Sequence, residues 1–147
     1  MEVYQEGNEI KFRLIENKIT YENVAKALFE GKDVWRIGDL VINKYNRTGY
    51  WNYLTNCTSE KQAQKLLAIN HLMNVAKYLN RDWKPDWNDK EQKYYIYLKS
   101  CYNYAINIDY TCSYTYSIVY FKSRELAQQA IDILGEETIK LALSTDW

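Results

Sequence analysis

Histidine, proline and cysteine are scarce in this sequence, and their scarcity argues against several kinds of chemistry. The 147 residues include one proline, one histidine, His71, and three cysteines, Cys57, Cys101 and Cys112. The cysteines form no CxxC pair, whereas a structural zinc site usually takes two ligands from one tight knuckle. The odd number of cysteines in a chain without secretion signals predicts free thiols.

The sequence also lacks long apolar runs and an excess of charge of either sign. No run approaches the roughly 20 apolar residues that span a bilayer, and the first residues, MEVYQE, do not resemble a signal peptide. Nineteen basic residues balance nineteen acidic ones. Balanced charge argues against broad nucleic-acid binding, because neutralising phosphates needs a basic surface. These features predict a cytoplasmic protein with no membrane partner.

Motifs that carry known chemistry are missing. The patterns GxGxxG, GxxxxGK[ST] and HExxH do not occur, and nothing in the sequence pairs His71 with a cysteine nucleophile. Three aspartates lie near Pro85, but their spacing matches no calcium loop and lysine and arginine are interleaved with them. We therefore predict that the chain is not an enzyme and has no catalytic residue, metal or cofactor.

Hydrophobic periodicity predicts an α+β fold. Alternating polar and apolar residues predict strands over residues 9–15, 93–99, 103–110 and 114–121. Short apolar stretches predict further strands over residues 34–37 and 40–42, broken at Gly38-Asp39, and over residues 50–54. Capping residues and apolar stripes predict helices after Thr20, from Ser59 to about Asn80, after Ser123 and near the C-terminus. The last three strands predict an antiparallel meander, with the long central helix and the C-terminal helices packed on one face. We predict one domain over residues 1–147, in which residues 1–55 and 56–147 could form sub-lobes.

Tyrosine and tryptophan are abundant, at fifteen and five residues, against three phenylalanines. Both side chains are enriched where proteins meet partners. Trp83 and Trp87 flank the proline in a charged loop, where they either cover the core or act as exposed anchors. Tyr95 and Tyr97 alternate with apolar residues, so they should face away from the core.

The tyrosines between residues 94 and 120 leave three interpretations open. They could be structural, since tyrosine suits strands, they could form a protein-binding face, or they could stack on unpaired bases. Asn107 and Asp109 lie on the equivalent side, where a base-stacking face normally carries basic residues. The predicted interaction surface consists of Trp83, Trp87, Tyr95, Tyr97, Tyr102 and Tyr114.

Two stretches resemble a group of small, largely uncharacterised phage and prophage proteins. The first stretch contains TSEKQAQKLLAIN, VAKYLN and DWKPDW, and the second is YFKSRELAQQAIDILGEE. The similarity extends over about residues 56–147 and implies a phage genome and a cytoplasmic location inside a bacterial host. It implies no catalytic residue.

These observations lead to one leading functional hypothesis and two alternatives. The leading one is a non-catalytic binding protein that engages a host protein or ribonucleoprotein complex. Its most concrete form is an inhibitor of bacterial immunity, of the anti-CRISPR or another anti-defence type, that acts by occlusion. The alternatives are a single-stranded nucleic-acid-binding protein that uses the tyrosine-rich sheet face and a phage structural or assembly accessory protein.

Overall fold

The computed structural model describes residues 2–6, 9–13, 18–34 and 56–147. Its strands are β1 (Glu2–Glu6), β2 (Glu9–Arg13), β3 (Lys93–Lys99) and β4 (Ala105–Thr111). Its α-helices are α1 (Tyr21–Phe29), α2 (Glu60–Asn80), α3 (Arg124–Leu134) and α4 (Glu136–Leu143), and a 3-10 turn covers Ser100–Tyr102. The α+β class is therefore confirmed.

Two antiparallel hairpins contain these strands. β1 pairs with β2, so that Val3 lies opposite Phe12, and β3 pairs with β4. β1 was not predicted, whereas β2 covers the first five residues of the strand predicted at 9–15. The strands predicted at 40–42 and 50–54, and all but the first residue of the strand predicted at 34–37, lie outside the described residues. The division into sub-lobes therefore stays a prediction.

Local capping explains where α1, α2 and α3 begin. The hydroxyl oxygens of Thr20, Ser59 and Ser123 each accept a hydrogen bond from the backbone N–H three residues later. Such bonds satisfy amides that have no partner inside the helix. The predicted caps are confirmed, with one difference: the side-chain oxygen of Gln62 accepts from the backbone N–H of Thr58 at 2.6 Å. Gln62 therefore reaches one residue further back than a capping box with Ser59 requires.

The core lies where the helices and the second hairpin meet. α3 and α4 each contact both α2 and the β3–β4 hairpin, and α1 contacts α2. The fully or nearly fully buried side chains are Val24, Leu72, Val75, Ile96, Phe121, Ala127, Ala130 and Ile139. The alternation of β3 turns Ile96 into this core, so Tyr95 and Tyr97 project from the opposite face of the strand.

The prediction of a three-stranded meander is wrong, because residues 114–121 contain no strand. Only Phe121 pairs with β3: the N–H of Tyr94 donates to the Phe121 carbonyl at 3.0 Å, and the Phe121 N–H donates back at 2.8 Å. Val119, two residues before Phe121, would be the next residue to pair with β3, but its N–H donates to the hydroxyl of Ser117 at 3.4 Å. A local side-chain acceptor thus takes an amide that a third strand would need for its ladder.

Candidate functional site

Six aromatic side chains gather around the outer face of β3. The ring of Tyr95 lies 5.9 Å from that of Tyr97 and 5.7 Å from that of Tyr116, and the Tyr116 ring lies 6.1 Å from that of Tyr114. These separations fall in the range of favourable aromatic contacts. We call the set the aromatic cluster; it consists of Trp87, Tyr95, Tyr97, Tyr114, Tyr116 and Tyr120.

Tyr120 anchors the cluster from below. It is buried, and its ring contacts the rings of Tyr95 at 6.0 Å and Trp87 at 5.1 Å. Its hydroxyl oxygen accepts hydrogen bonds from the backbone N–H groups of Tyr116 at 2.6 Å and Ser117 at 2.9 Å. One buried phenol therefore shapes the turn that presents Tyr116.

The end of α2 holds the same segment in place. The side-chain amide nitrogen of Asn80, the last residue of the helix, donates to the carbonyl of Tyr120 at 2.8 Å. Its amide oxygen accepts from the N–H of Lys122 at 3.1 Å. Because one side chain bonds both sides of Phe121, the cluster is joined to the longest helix of the described chain.

A buried lysine lies at the edge of the cluster. Lys93 is 1% exposed, and its ammonium group donates to Asp89 at 2.5 Å and to the carbonyl of Glu91 at 2.9 Å. The same nitrogen lies 5.5 Å from the ring centre of Trp87, within range of a cation–π interaction. The hydrogen bond from Lys93 lowers the pKa of Asp89 below its usual value. This charge is therefore matched inside the protein and is little exposed to a ligand.

The phenol of Tyr95 stays neutral at physiological pH. Burial raises its pKa above the usual 10.0, and the nearby carboxylate of Asp109 raises it further. Asp109 lies directly opposite Tyr95 in the pairing of β3 with β4. A negative charge close to this ring does not favour phosphate.

The structure brings four of the six predicted interaction residues into the cluster. Tyr95 and Tyr97 are half-buried, Trp87 is 37% exposed and Tyr114 is 67% exposed. Trp83 is half-buried and makes none of the ring contacts of the cluster, and Tyr102 lies in the 3-10 turn. Trp87 fits both interpretations offered for it, covering the core and being an exposed anchor, since it packs on Tyr120 while part of its surface faces solvent.

Three exposed residues that border or join the cluster were not predicted as site residues. Tyr116 and Ile118 are each 64% exposed, and Tyr104 is 56% exposed. The period-two pattern predicts that Tyr116, Ile118 and Tyr120 share one buried face. In the structure only Tyr120 of these three is buried. Sequence alternation cannot separate Tyr116 from Tyr120 because the segment is not a strand.

His71 and the cysteines do not form a catalytic arrangement in the described part of the chain. His71 stacks on the ring of Tyr21 of α1, with the ring centres 3.9 Å apart. Cys57, Cys101 and Cys112 are all free thiols. Within the described ranges no group of histidine, cysteine and acidic residues has the geometry to hold a metal ion.

His71 should make folding stability depend on pH near neutrality. Burial against α1 lowers its pKa below the usual 6.5, so the unfolded chain binds the proton more readily. The contribution of neutral His71 to stability should therefore be fully present above about pH 6.5. The free energy of unfolding should fall as the pH drops through the lowered pKa. Asp89 and Asp146, whose pKa values are lowered from 3.8, lose their contributions only in more acidic solution.

Urea denaturation at pH 7.5 and pH 5.5 measures this effect. We expect a lower midpoint at pH 5.5 for the natural sequence and a smaller difference for His71→Gln, which keeps the helix but cannot take up a proton. An equal midpoint difference in both proteins would contradict the assignment to His71.

No helix among the described residues has the length and apolar character needed to cross a membrane. Comparison of the chain with protein-family models, with curated proteins and with solved structures finds no match.

Proposed function

We propose that this chain is a non-catalytic binding protein that engages a protein partner through the aromatic cluster. The observation that carries the proposal is the exposure of Tyr114 and Tyr116. The Tyr116 ring contacts the half-buried ring of Tyr95, which in turn contacts the buried ring of Tyr120. The two rings are in contact, and the backbone of Tyr116 is held by the buried phenol of Tyr120, so both lose little conformational freedom when a partner covers them. Such aromatic residues are common among the few that dominate binding energy in protein interfaces.

The resemblance to phage and prophage proteins supports a partner from a bacterial host. The most concrete form of the proposal is an inhibitor of bacterial immunity, of the anti-CRISPR or another anti-defence kind. Such a protein would act by occlusion: its folded surface covers a functional surface of the target, and no covalent step takes place.

The electrostatics of the face support a protein partner over a single-stranded nucleic acid. Base-stacking surfaces combine aromatic rings with a positive groove that follows the phosphates. Here Lys93 is buried against Asp89, and the carboxylate of Asp109 lies opposite Tyr95. The remaining alternative, a phage assembly accessory, predicts that the protein is present in purified virions.

Affinity capture from a bacterial host lysate, with and without nuclease, tests the proposal. We compare the natural sequence with Tyr114→Gln, which removes an exposed ring of the cluster, and with Met73→Gln as a control. Met73 is an exposed residue of α2, 53% accessible, so the control makes a similar apolar-to-amide change outside the cluster.

Three results distinguish the functions. The proposal would be supported by a captured protein whose recovery resists nuclease. Met73→Gln should still bind this protein, and Tyr114→Gln should bind it on the order of tenfold more weakly. Recovery that disappears with nuclease would favour nucleic acid instead. A partner that binds both variants equally well would rule out the aromatic cluster as the binding surface.

A further inference from the structure

The outer face of the β3–β4 hairpin combines aromatic rings on one strand with hydrogen-bond acceptors on the other. The strand pairing places Tyr95 opposite Asp109 and Tyr97 opposite Asn107, and all four side chains share this face. The Cβ atoms of directly opposed residues lie about 5 Å apart, and diagonal neighbours are within reach of long side chains. Two rings of the aromatic cluster are therefore bordered by a carboxylate and a carboxamide.

The carboxylate of Asp109 is exposed and can accept further hydrogen bonds. One of its oxygens accepts from the backbone N–H of Tyr110 at 2.8 Å. A carboxylate has about four acceptor sites, so this single bond leaves capacity for an external donor. Burial raises the pKa of Tyr95 most, and the charge of Asp109 raises it further, so the carboxylate acts on the ring beside it.

Asn107 adds a second acceptor to the same face. Its side-chain nitrogen donates to the backbone carbonyl of Ala105 at 3.0 Å. The other end of the amide group is an oxygen, which only accepts hydrogen bonds. Because Asn107 and Asp109 alternate along β4, both acceptors follow the same strand beside the two tyrosines. A ligand group that matches this face must therefore donate hydrogen bonds.

A lysine of the protein itself shows how this face holds a cation. Lys93 belongs to the same row of side chains on β3, and its ammonium group donates to the carboxylate of Asp89. The same nitrogen lies 5.5 Å from the ring centre of Trp87. A cation is thus attracted by a carboxylate and by an aromatic ring at once. Asp109 and Tyr95 offer the same two groups to a ligand.

The positive charges on this face leave the surroundings of Asp109 favourable to a cation. Lys93 is buried and its ammonium is matched by Asp89, so it repels a ligand only weakly. Lys99 lies four residues beyond Tyr95 on β3, roughly 13 Å along the strand. That separation exceeds the Debye length of about 8 Å at physiological ionic strength, so the charge of Lys99 is largely screened there.

We propose that this face receives an arginine side chain of the partner protein, with its guanidinium at the carboxylate of Asp109 and stacked against Tyr95 and Tyr97. This inference rests on the proposed binding function and names the chemistry that the partner presents. A guanidinium has N–H donors and no acceptor, which matches the two acceptors of β4. It also stacks on aromatic rings, whereas a lysine ammonium has no plane and is more strongly hydrated.

The exposed rings of the aromatic cluster continue this contact. Phe121 pairs with the edge of β3 that faces away from β4. Tyr116 precedes Phe121, and its ring lies 5.7 Å from that of Tyr95. An arginine that approaches from the exposed rings therefore lays its aliphatic stem across Tyr95 before its guanidinium reaches Asp109. Long basic side chains commonly cover apolar surface with their stems in this way.

Titration of the full chain with two small probes tests the inference. The probes are N-acetyl-arginine methylamide and its citrulline analogue, which has the same length but a neutral urea group in place of the guanidinium. Binding is followed by NMR at the backbone amides of Tyr95, Tyr97, Asn107 and Asp109. We expect saturable shifts with the arginine probe. The citrulline probe should bind on the order of tenfold more weakly, because it forms neither the ion pair nor the cation–π contact.

Asp109→Asn and Asp132→Asn form a matched pair of variants. Both residues are exposed, and Asp132 lies on α3, outside the hairpin. The amide oxygen in Asp109→Asn can still accept from the N–H of Tyr110, so the change removes the charge and keeps the local bond. We expect Asp109→Asn to bind the arginine probe about threefold to fivefold more weakly, the range of an exposed ion pair. Asp132→Asn should bind it as the natural sequence does.

Tyr97→Leu and Tyr110→Leu test the part played by the rings. Tyr110 is also a partly exposed tyrosine of the hairpin, but it lies on the opposite face because it follows Asp109 directly in β4. We expect Tyr97→Leu to lose severalfold in affinity for the arginine probe and Tyr110→Leu to lose none. The dispersion of the amide resonances shows for each variant whether it is folded.

The probes can overturn the inference in three ways. Equal affinity for the arginine and citrulline probes would exclude recognition of the guanidinium charge. Equal affinity of Asp109→Asn and Asp132→Asn for the arginine probe would exclude the carboxylate. Self-association that Asp109→Asn abolishes would assign this face to a second copy of the chain.

Affinity capture from lysate separates the inference from the proposed function. A captured partner that depends on Tyr114 but binds Asp109→Asn and Asp132→Asn equally well would overturn only the arginine contact. A partner that Tyr114→Gln retains in full would contradict the proposed binding surface, even where the arginine probe binds. Loss of the partner in both Tyr114→Gln and Asp109→Asn, with retention in Asp132→Asn, would support both.

Discussion

Replacing Phe121 with alanine should lower the free energy of unfolding by about 3–5 kcal/mol, the usual cost of removing a buried phenylalanine ring. Phe121 is 0% exposed and belongs to the core cluster shared by the helices and the β3–β4 hairpin. Since domains of this size are stable by only about 5–15 kcal/mol, the variant should unfold at a much lower urea concentration.

Urea denaturation followed by circular dichroism measures the loss, and an unchanged slope would show that the native state keeps its compactness. Tyr114→Ala is the control, because a change at an exposed ring should cost no more than about 0.5 kcal/mol. A loss below about 1 kcal/mol in Phe121→Ala would mean that the ring is not packed as the structure shows.

Replacing Tyr120 with phenylalanine should lower the free energy of unfolding moderately and should also release the backbone of the binding surface at Tyr116. The change removes one oxygen, which accepts from the N–H groups of Tyr116 and Ser117. We expect a loss of about 1–3 kcal/mol of stability, the cost of leaving partly buried donors unsatisfied. Because Tyr116 then loses its fixed position, affinity for a partner that contacts the cluster should fall on the order of tenfold.

Hydrogen exchange at the amides of Tyr116 and Ser117 is the direct measurement, and it should accelerate in Tyr120→Phe while amides of α2 keep their protection. Tyr114→Phe is the matched control, since it removes a hydroxyl from an exposed ring of the same cluster. Unchanged exchange at both amides would contradict the anchoring role of Tyr120.

The helices were largely predictable because their signals are local. Thr20, Ser59 and Ser123 each bond an amide only three residues away, so both partners of each of these three caps lie close together in the sequence. The end of α3 is also local, because Gly135, the residue after Leu134, supplies the positive φ of 80° at its C-terminus. Such interactions form within one turn and need no distant residue.

The third strand was mispredicted because strand pairing is decided at long range. Residues 116–120 have the right alternation, but the Ser117 hydroxyl accepts from Val119, and the phenol of Tyr120 accepts from Tyr116. Hydroxyl groups nearby in the chain compete with an edge of β3 that lies more than twenty residues away in sequence. Period-two patterning reports which side chains suit a strand and does not report where the backbone amides bond.

The binding surface divides in the same way. Sequence alone determined that Tyr95 and Tyr97 oppose Ile96, because alternation along a strand fixes the faces of neighbouring residues. Only the tertiary structure decided that Tyr120 is buried beneath Tyr95 and that Tyr116 is exposed. The reason is physical: faces within one strand follow from covalent geometry, whereas burial depends on which distant segments pack against that strand.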